Sequence, residues 1–313
     1  MVVWEGFSIL SSMASTSPIN INIQPRPSST IKHLTEAYSL IELPPNYAHP
    51  DSDDSLVSRA DTSVLLPTID FSLLTSGSPA QRSQVIRDLA YACREWGFFM
   101  VINHGVREEL REGIMEATRR FFNLPEEEKR EFSGNHVLDP IRCGTSFNTA
   151  VEKVLCWRDF LKILIGNFYP RCPQPQLAMG MPPHSDHGLL TVLIENNVGG
   201  LQVLHDGKWV QVQSIPNSFL VNIGDHLEIL SNGRYKSVLH RAVVNSENTR
   251  ISIAMAHGPS LETFVGPAPE LVDDESHPAA YREMKYRDYL EFQQSNRLNG
   301  KTCLDLVRLS TVR

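Results

Sequence analysis

Five side chains in two short stretches have the types and spacing to do chemistry: His184 and Asp186 in "PPHSDHGLLTVL", and His240, Arg250 and Ser252 in "VLHRAVVNSENTRISIA". Each stretch reads as extended chain with polar groups where a core strand would be apolar. Residues two apart in extended chain project to one side, so His184 and Asp186 can share a face, as can Arg250 and Ser252. Two imidazoles and one carboxylate on one face of a metal leave the opposite positions open, which is the donor set of a non-haem Fe(II) centre with room for a co-substrate and O₂. A guanidinium fork beside a hydroxyl suits an incoming carboxylate. In a chain with 11 histidines a lone His-x-Asp says little. The order carries the signal: His-x-Asp, a histidine 54 residues later, and Arg-x-Ser ten residues beyond it.

The elements that must position these groups change character along the chain. Residues 1–60 are rich in Ser, Pro and Asp and read as a loose N-terminal arm, with a short helical hint at Ile31–Leu40. "LLPTIDFS" reads as a first strand. Val85, Ile86, Leu89, Ala90, Cys93 and Trp96 recur at helical spacing, with Gly97 as a stop. "FFMVINHG" (98–105) reads as a buried strand, and Leu110 to Phe122 as a second amphipathic helix. The charge run Glu126–Glu131 is expected to be a solvated face. Further on, short apolar runs alternate with turn signals at His205-Asp206-Gly207, Ser231-Asn232-Gly233 and Asn245–Asn248. Asp-Gly between "LQVL" and "KWVQV" is a hairpin signal, and regular short strands of this kind indicate a sandwich or jelly roll. Residues 279–298 are expected to form a final polar-faced helix packed on the outside.

A chain of 313 residues with 41% hydrophobic and 21% charged residues has the make-up of a globular protein able to bury a full core. Its net charge of −7 and lack of a basic cluster argue against a nucleic-acid surface. Five cysteines without a CxxC pair indicate reduced thiols and a cytoplasmic location, with neither a disulfide framework nor a zinc site. No apolar run is long enough to span a membrane, and "MVVWEGFSILSSMAS" lacks a basic n-region, so no signal peptide is expected. Met13, followed by Ala and Ser, is an alternative start that would leave residues 1–12 outside the functional protein.

From Leu66 to Leu306 the sequence resembles the plant 2-oxoglutarate- and Fe(II)-dependent dioxygenases. The resemblance rests on "LPTIDFS" (66–72), "CREWGFFMVINHGV" (93–106), "GNFYPRCPQP" (166–175), "MGMPPHSDHGLLTVLI" (179–194), "GGLQVLHDGKWVQV" (199–212) and "NTRISIA" (248–254). Within that family it is most similar to the downy-mildew-resistance-type and flavanone-hydroxylase-like branch. The resemblance implies a mixed α and β fold, a double-stranded β-helix (jelly-roll) core with flanking helices. It divides the chain into the arm 1–60, an N-terminal region 61–163, a jelly-roll core 164–265 and a C-terminal helix and tail 266–313. It implies His184, Asp186 and His240 as iron ligands, and Arg250 and Ser252, assisted by Tyr169 and Asn167, as the grip on 2-oxoglutarate. Ascorbate is the expected reductant. The implied reaction hydroxylates or desaturates a small phenolic or flavonoid-like metabolite with O₂, releasing succinate and CO₂, in a protein expected to act as a monomer.

Phe147, Phe160, Met255 and His257 are candidates for a substrate pocket, with core packing as the equal alternative. His187, at an odd offset from His184, is expected to point away from the metal. His104, Asp225 and His226 read as structural. One departure from the family stands out. "VLCWRDFLKI" (154–163) runs straight into "LIGNFYPRCP" (164–173), where relatives carry dozens of largely helical residues. "DFLKILIGNFY" then reads as one continuous β-rich run with no turn before Pro170, and the lost helices would leave an apolar patch exposed or repacked. Two other readings stay open: a truncated isoform that keeps the metal motif but is catalytically impaired, and a metal-binding jelly-roll protein of the cupin type. Against the latter, a simple cupin has no need of a dicarboxylate clamp.

Overall fold

The computed structural model describes residues 30–38, 40–49, 63–162, 165–273, 275–296 and 298–309. Met13, the segment 1–12 and the junction pair 163–164 lie outside them.

Two sheets carry the fold. One has five strands in the order β1 (Ser63–Val64), β10 (Lys208–Val212), β9 (Leu201–His205), β12 (His240–Val243), β7 (Met179–His184). The other has eight, in the order β2 (Thr68–Asp70), β3 (Phe98–Ile102), β11 (Phe219–Ile223), β8 (Leu190–Glu195), β13 (Arg250–His257), β6 (Gly166–Tyr169), β5 (Asp159–Lys162), β4 (Arg142–Thr145). From β6 to β13 the chain passes repeatedly from one sheet to the other. That is the winding of a double-stranded β-helix, as expected. The sheets face each other across a core that joins Phe98, Met100 and Leu220 of the larger sheet to Leu201, Val203, Val210 and Val212 of the smaller. The β9–β10 hairpin turns at Asp206 and Gly207, both at positive φ (48° and 74°), the conformation that a two-residue turn of this type requires.

Helices cover the outer face of the larger sheet. Helix α1 is Ile31–Ala37 and α2 is Phe71–Thr75. Helix α3 (Pro79–Glu95) starts in a reciprocal Ser78–Gln81 capping box and ends before Gly97 at φ +62°, where a Cβ would collide with the Lys236 carbonyl. It packs Val85, Ala92 and Cys93 against Ile69, Phe99 and Val221. Helix α4 (Glu108–Asn123) sets Met115 and Phe122 against Phe168, Ile194, Ile251 and Ile253. Burial of this kind contributes about 25 cal/mol per Å² of apolar surface.

Several sequence expectations are corrected. Part of the supposed loose arm is packed: Ile31, Leu34, Leu43 and Tyr47 are buried against Trp157 and Tyr169, and Asp159 accepts the Ile31 and Lys32 backbone N–H groups at 2.8 Å. A Ser- and Pro-rich composition hid a four-residue apolar anchor. The charge run is not wholly solvated. In the short helix α5 (Glu126–Lys129), Lys129 is buried, paired with Glu126 at 2.7 Å, and Glu126 accepts from Thr30 at 2.8 Å. The run 159–169 is not one continuous strand: β5 and β6 pair antiparallel with Leu161 opposite Gly166. The C-terminal helix is shorter than expected, and it packs with an exposed outer face and a buried inner one. It spans Tyr286–Ser295 (α7), buries Tyr286, Tyr289 and Gln293, and is followed by α8 (Thr302–Val307). Here α6 denotes Asp225–Leu230.

Candidate active site

Register places the candidate ligands. His184 ends β7 and stands directly opposite His240 at the start of β12. Asp186 lies just past the strand, so the extended-chain argument covers only part of its placement. What aims it is Asn222 of β11, whose amide donates to Asp186 Oδ2 at 2.9 Å and leaves Oδ1 turned toward the rings. That oxygen is 3.6 Å from His184 Nε2 and 3.6 Å from His240 Nε2. Each imidazole is oriented from behind: Nδ1 lies 2.8 Å from the Pro182 carbonyl in His184 and 3.2 Å from the Val238 carbonyl in His240. A carbonyl accepts only, so each Nδ1 is the donor there and each Nε2 is the ring nitrogen turned toward Asp186. One potential ligand atom from each residue falls within 4.8 Å of the others.

The electrostatics match this use. Burial, reinforced by His240, pushes the His184 imidazole down to about 3, so it is neutral at physiological pH. Burial alone would raise the Asp186 carboxyl. The flanking His240 and His184 and the Asn222 hydrogen bond overcome it and hold the group at about 2, ionised. Two imidazoles and a carboxylate with open space on one side fit Fe(II) in a facial arrangement.

A second group is set by the pairing of β13 with β6. Arg250 stands opposite Tyr169 and Ser252 opposite Asn167, so four side chains share one face. The guanidinium lies 5.1 Å from the Tyr169 ring centre. Its Nη1 donates to Ser252 Oγ at 3.2 Å, and the same oxygen accepts from Asn167 at 3.3 Å. Sequence reasoning missed Glu195, at the end of β8, which accepts from Arg250 Nε at 3.1 Å and Nη2 at 2.7 Å. The one visible signal was an acid closing the apolar run "LTVLIE". This pair fixes a buried guanidinium in place and leaves donors for an anion.

Two cavities meet at the triad. One of about 90 Å³ is lined by Asn167, Tyr169, Arg250, Ser252 and all three triad residues. The other, about 390 Å³, takes in His184 and Asp186 and reaches outward past Phe147, Phe160, Met255 and His257, the four pocket candidates. His187 also lines it but bonds Tyr286 at 2.8 Å and is not part of the triad. Helix α7 closes one side with Leu290, Gln293 and Gln294, a contribution the sequence did not reveal. The structural readings of three other residues stand. His104 stacks on Phe219 and bonds the Asn217 carbonyl, His226 packs edge-on to Tyr286 and Tyr289, and Asp225 opens α6 and accepts from Tyr289 at 2.7 Å.

Comparison with known proteins agrees with this geometry. The sequence pattern of the 2OG-Fe(II) oxygenase superfamily matches residues 160–259, and that of the "non-haem dioxygenase in morphine synthesis N-terminal" matches 66–173. The chain is 41% identical to 2-oxoglutarate-dependent dioxygenase 19 of Oryza sativa subsp. japonica, covering 82% of this chain and 95% of that protein. It is 36% identical to Protein DMR6-LIKE OXYGENASE 2 of Arabidopsis thaliana, covering 86% and 95%. Among solved structures, JOX2 in complex with 2OG, Fe and JA superposes with a TM-score of 0.78 at 29% identity, covering 91% of this chain and 98% of that one. The alignment to the rice protein spans 322 positions, while 82% of 313 residues is about 257, so about 65 of its positions face no residue here. The two pattern matches overlap at 160–173. The chain belongs to the 2OG-Fe(II) oxygenase superfamily and is a 2-oxoglutarate-dependent dioxygenase that uses Fe(II).

Proposed function

We propose that this enzyme hydroxylates or desaturates a small, largely apolar plant metabolite of phenolic or flavonoid-like character, held in the 390 Å³ cavity. His184, Asp186 and His240 hold the Fe(II). Arg250 and Ser252, with Tyr169 and Asn167, grip the distal carboxylate of 2-oxoglutarate. Bound Fe(II) supplies the O₂ chemistry that couples conversion of 2-oxoglutarate to succinate and CO₂ with substrate oxidation. The protein's part is placement: Arg250 fixes the co-substrate, the histidine pair and Asn222 fix the ligand atoms, and apolar walls exclude water. The observation that carries this reading is that His184 and Asp186 of the triad line both cavities, one with a carboxylate clamp and one with mainly apolar walls. A cupin-type metal binder has no use for that second, clamped chamber. Anaerobic addition of Fe(II) and 2-oxoglutarate should produce a visible charge-transfer band. A folded protein that binds Fe(II) and gives no band would overturn it.

The roughly 65 unmatched positions favour a second reading beside the first, a shortened form with an impaired substrate side. The overlap of the two pattern matches supports placing the loss at 163–164. The β5–β6 hairpin keeps Phe160 and Phe168 buried across that point, while Ile141 and Val151 nearby are exposed. A version with the segment restored should melt higher and turn substrate over faster. Equal melting and equal turnover would remove this reading.

A further inference from the structure

The larger chamber carries unbalanced charge. Three cations, Arg142, Arg158 and Lys162, interrupt its apolar walls. Arg142 and Lys162 are direct cross-strand partners on β4 and β5. Like charges directly opposite each other destabilise a sheet, and beyond the Val137 carbonyl that accepts from Lys162 at 2.5 Å an anion between them would offset it. Arg158 precedes β5 and is 97% buried, its exposure being 3%. It donates to the Ser146 carbonyl at 2.6 Å, to Asn167 Oδ1 at 3.1 Å and to the Met181 sulfur, but among the described residues its Nε has no partner and it forms no ion pair. The Arg142 and Arg158 guanidinium carbons lie 5.3 and 5.2 Å from the Phe160 ring centre, so both flank one aromatic wall.

Among the residues lining this chamber the sole acid is Asp186, which is committed to the triad. The nearest other acid acting on Arg142 and Lys162 is Asp139. It accepts the Asn135 and His136 backbone N–H groups and forms no ion pair with either cation among the described residues. Burial pushes both cations' pKa values down, and Arg158 adds to this for Arg142, as Arg142 does for Lys162, against the opposing pull of Asp139. Arg250 shows the alternative in the same molecule, a buried guanidinium closed by Glu195. A buried cation left without a carboxylate is costly unless a ligand supplies one.

We propose that Arg142, Arg158 and Lys162 form an anion-recognition subsite, and that the molecule oxidised here is an apolar compound bearing a carboxylate. This rests on the reading of the larger chamber as the substrate site. Charge-assisted bonds to the carboxylate would anchor one end of the molecule, leaving its apolar body to fill the space between Phe147, Phe160, Met255 and Leu290.

The test is anaerobic equilibrium dialysis with Fe(II) and 2-oxoglutarate present, using a panel of aromatic and alicyclic monocarboxylates, each beside its methyl ester. The acids should bind at least about tenfold more tightly than their esters, and Arg158→Met and Lys162→Met should each erase most of that preference. Should Arg158→Met fail to fold, Lys162→Met and Arg142→Met, which change partly exposed side chains, carry the comparison. Absence of any acid preference in the wild-type protein, or its survival in the variants, overturns the proposal. The charge-transfer band is read in the same samples. A missing band with intact acid selectivity would sink the oxygenase reading and leave the anion subsite standing.

Discussion

The two sides of the metal triad are built on different principles. On the co-substrate side, every charged group has a partner: Arg250 has Glu195 and Ser252, Asp186 has Asn222, and each imidazole has a backbone carbonyl. All but Asp186 and the Val238 carbonyl sit on strands whose register is fixed by the two-sheet core. On the substrate side, the cations of β4 and β5 form no ion pair among the described residues, and the wall is completed by α7, from the far end of the chain. The first side is pre-organised for one fixed ligand. The second is left chemically open, as a site needs when its ligand supplies the missing charge. One fold can thus keep a constant reaction and vary what it acts on.

The largest expected effect lies at the seam. Asp186→Ala removes the only anionic member of the triad and should abolish Fe(II)-dependent turnover of 2-oxoglutarate, measured as succinate release. Undiminished release would show that the triad does not hold the metal. Next comes Arg250→Lys, which keeps the charge but loses the fork that meets Glu195 and Ser252. Loss of one or two charge-assisted bonds, about 1.5–3 kcal/mol, predicts 2-oxoglutarate affinity lower by roughly 10- to 150-fold with iron affinity far less changed. Identical 2-oxoglutarate titrations of the two proteins would break the contrast between a clamped side and an open one.

The same contrast explains what the sequence made legible. Arg250 and Ser252 were readable because strand spacing of two translates directly into a shared face, and His184, Asp186 and His240 because of their types and order along the chain. Their strand partners Tyr169 and Asn167 came only with the family resemblance. Glu195 and Asn222 escaped because their role comes from neighbours across the sheet, 55 residues from Arg250 in one case and 36 from Asp186 in the other. The packed segment 30–49 was missed for a related reason. Its anchors Ile31, Leu34, Leu43 and Tyr47 are too few to show a period, and their partner Trp157 is more than a hundred residues away. Helix α7 looked polar because Tyr289 and Gln293 are buried through hydrogen bonds, to Asp225 and to the Ser185 carbonyl.

A smaller effect should be confined to the substrate side. Glu228 of α6 is buried and gathers Lys301, Arg308, Tyr281 and the Ser237 backbone N–H, tying the C-terminal segment to the core. Burial alone would raise its carboxyl. Lys301 and the Tyr281 and Ser237 hydrogen bonds overcome this and hold it below the ordinary value. A depressed folded pKa means that the stabilisation is present above the unfolded value, near 4.3, and lost as pH falls through the folded one. Glu228→Gln should therefore lower stability at neutral pH by about 1–3 kcal/mol, since Lys301 and Arg308 are partly exposed and can be re-solvated. Its melting temperature should also fall less steeply on acidification than that of the parent. The charge-transfer band should persist while substrate oxidation weakens. A variant that loses the band first would place the C-terminal segment on the co-substrate side instead.

The smallest expected effect tests whether the two sides are separate at all. One polar chain crosses between them: Ser252 Oγ accepts from Asn167 Nδ2 at 3.3 Å, and Asn167 Oδ1 accepts from Arg158 Nη1 at 3.1 Å. Ser252→Ala removes the acceptor that Arg250 and Asn167 share, so the direct loss should be about 1 kcal/mol, or roughly fivefold in 2-oxoglutarate affinity. Asn167 Nδ2 keeps its bond to the Ile165 carbonyl at 3.0 Å, so the amide should hold its orientation and Arg158 should stay in place. Binding of a carboxylate to the larger chamber should then change by less than twofold. A double-mutant cycle combining Ser252→Ala with Arg158→Met gives the coupling directly. Additive effects on the two ligands would confirm that the clamp and the open chamber are independent. A coupling of 1 kcal/mol or more would mean that filling one cavity sets the other through Asn167.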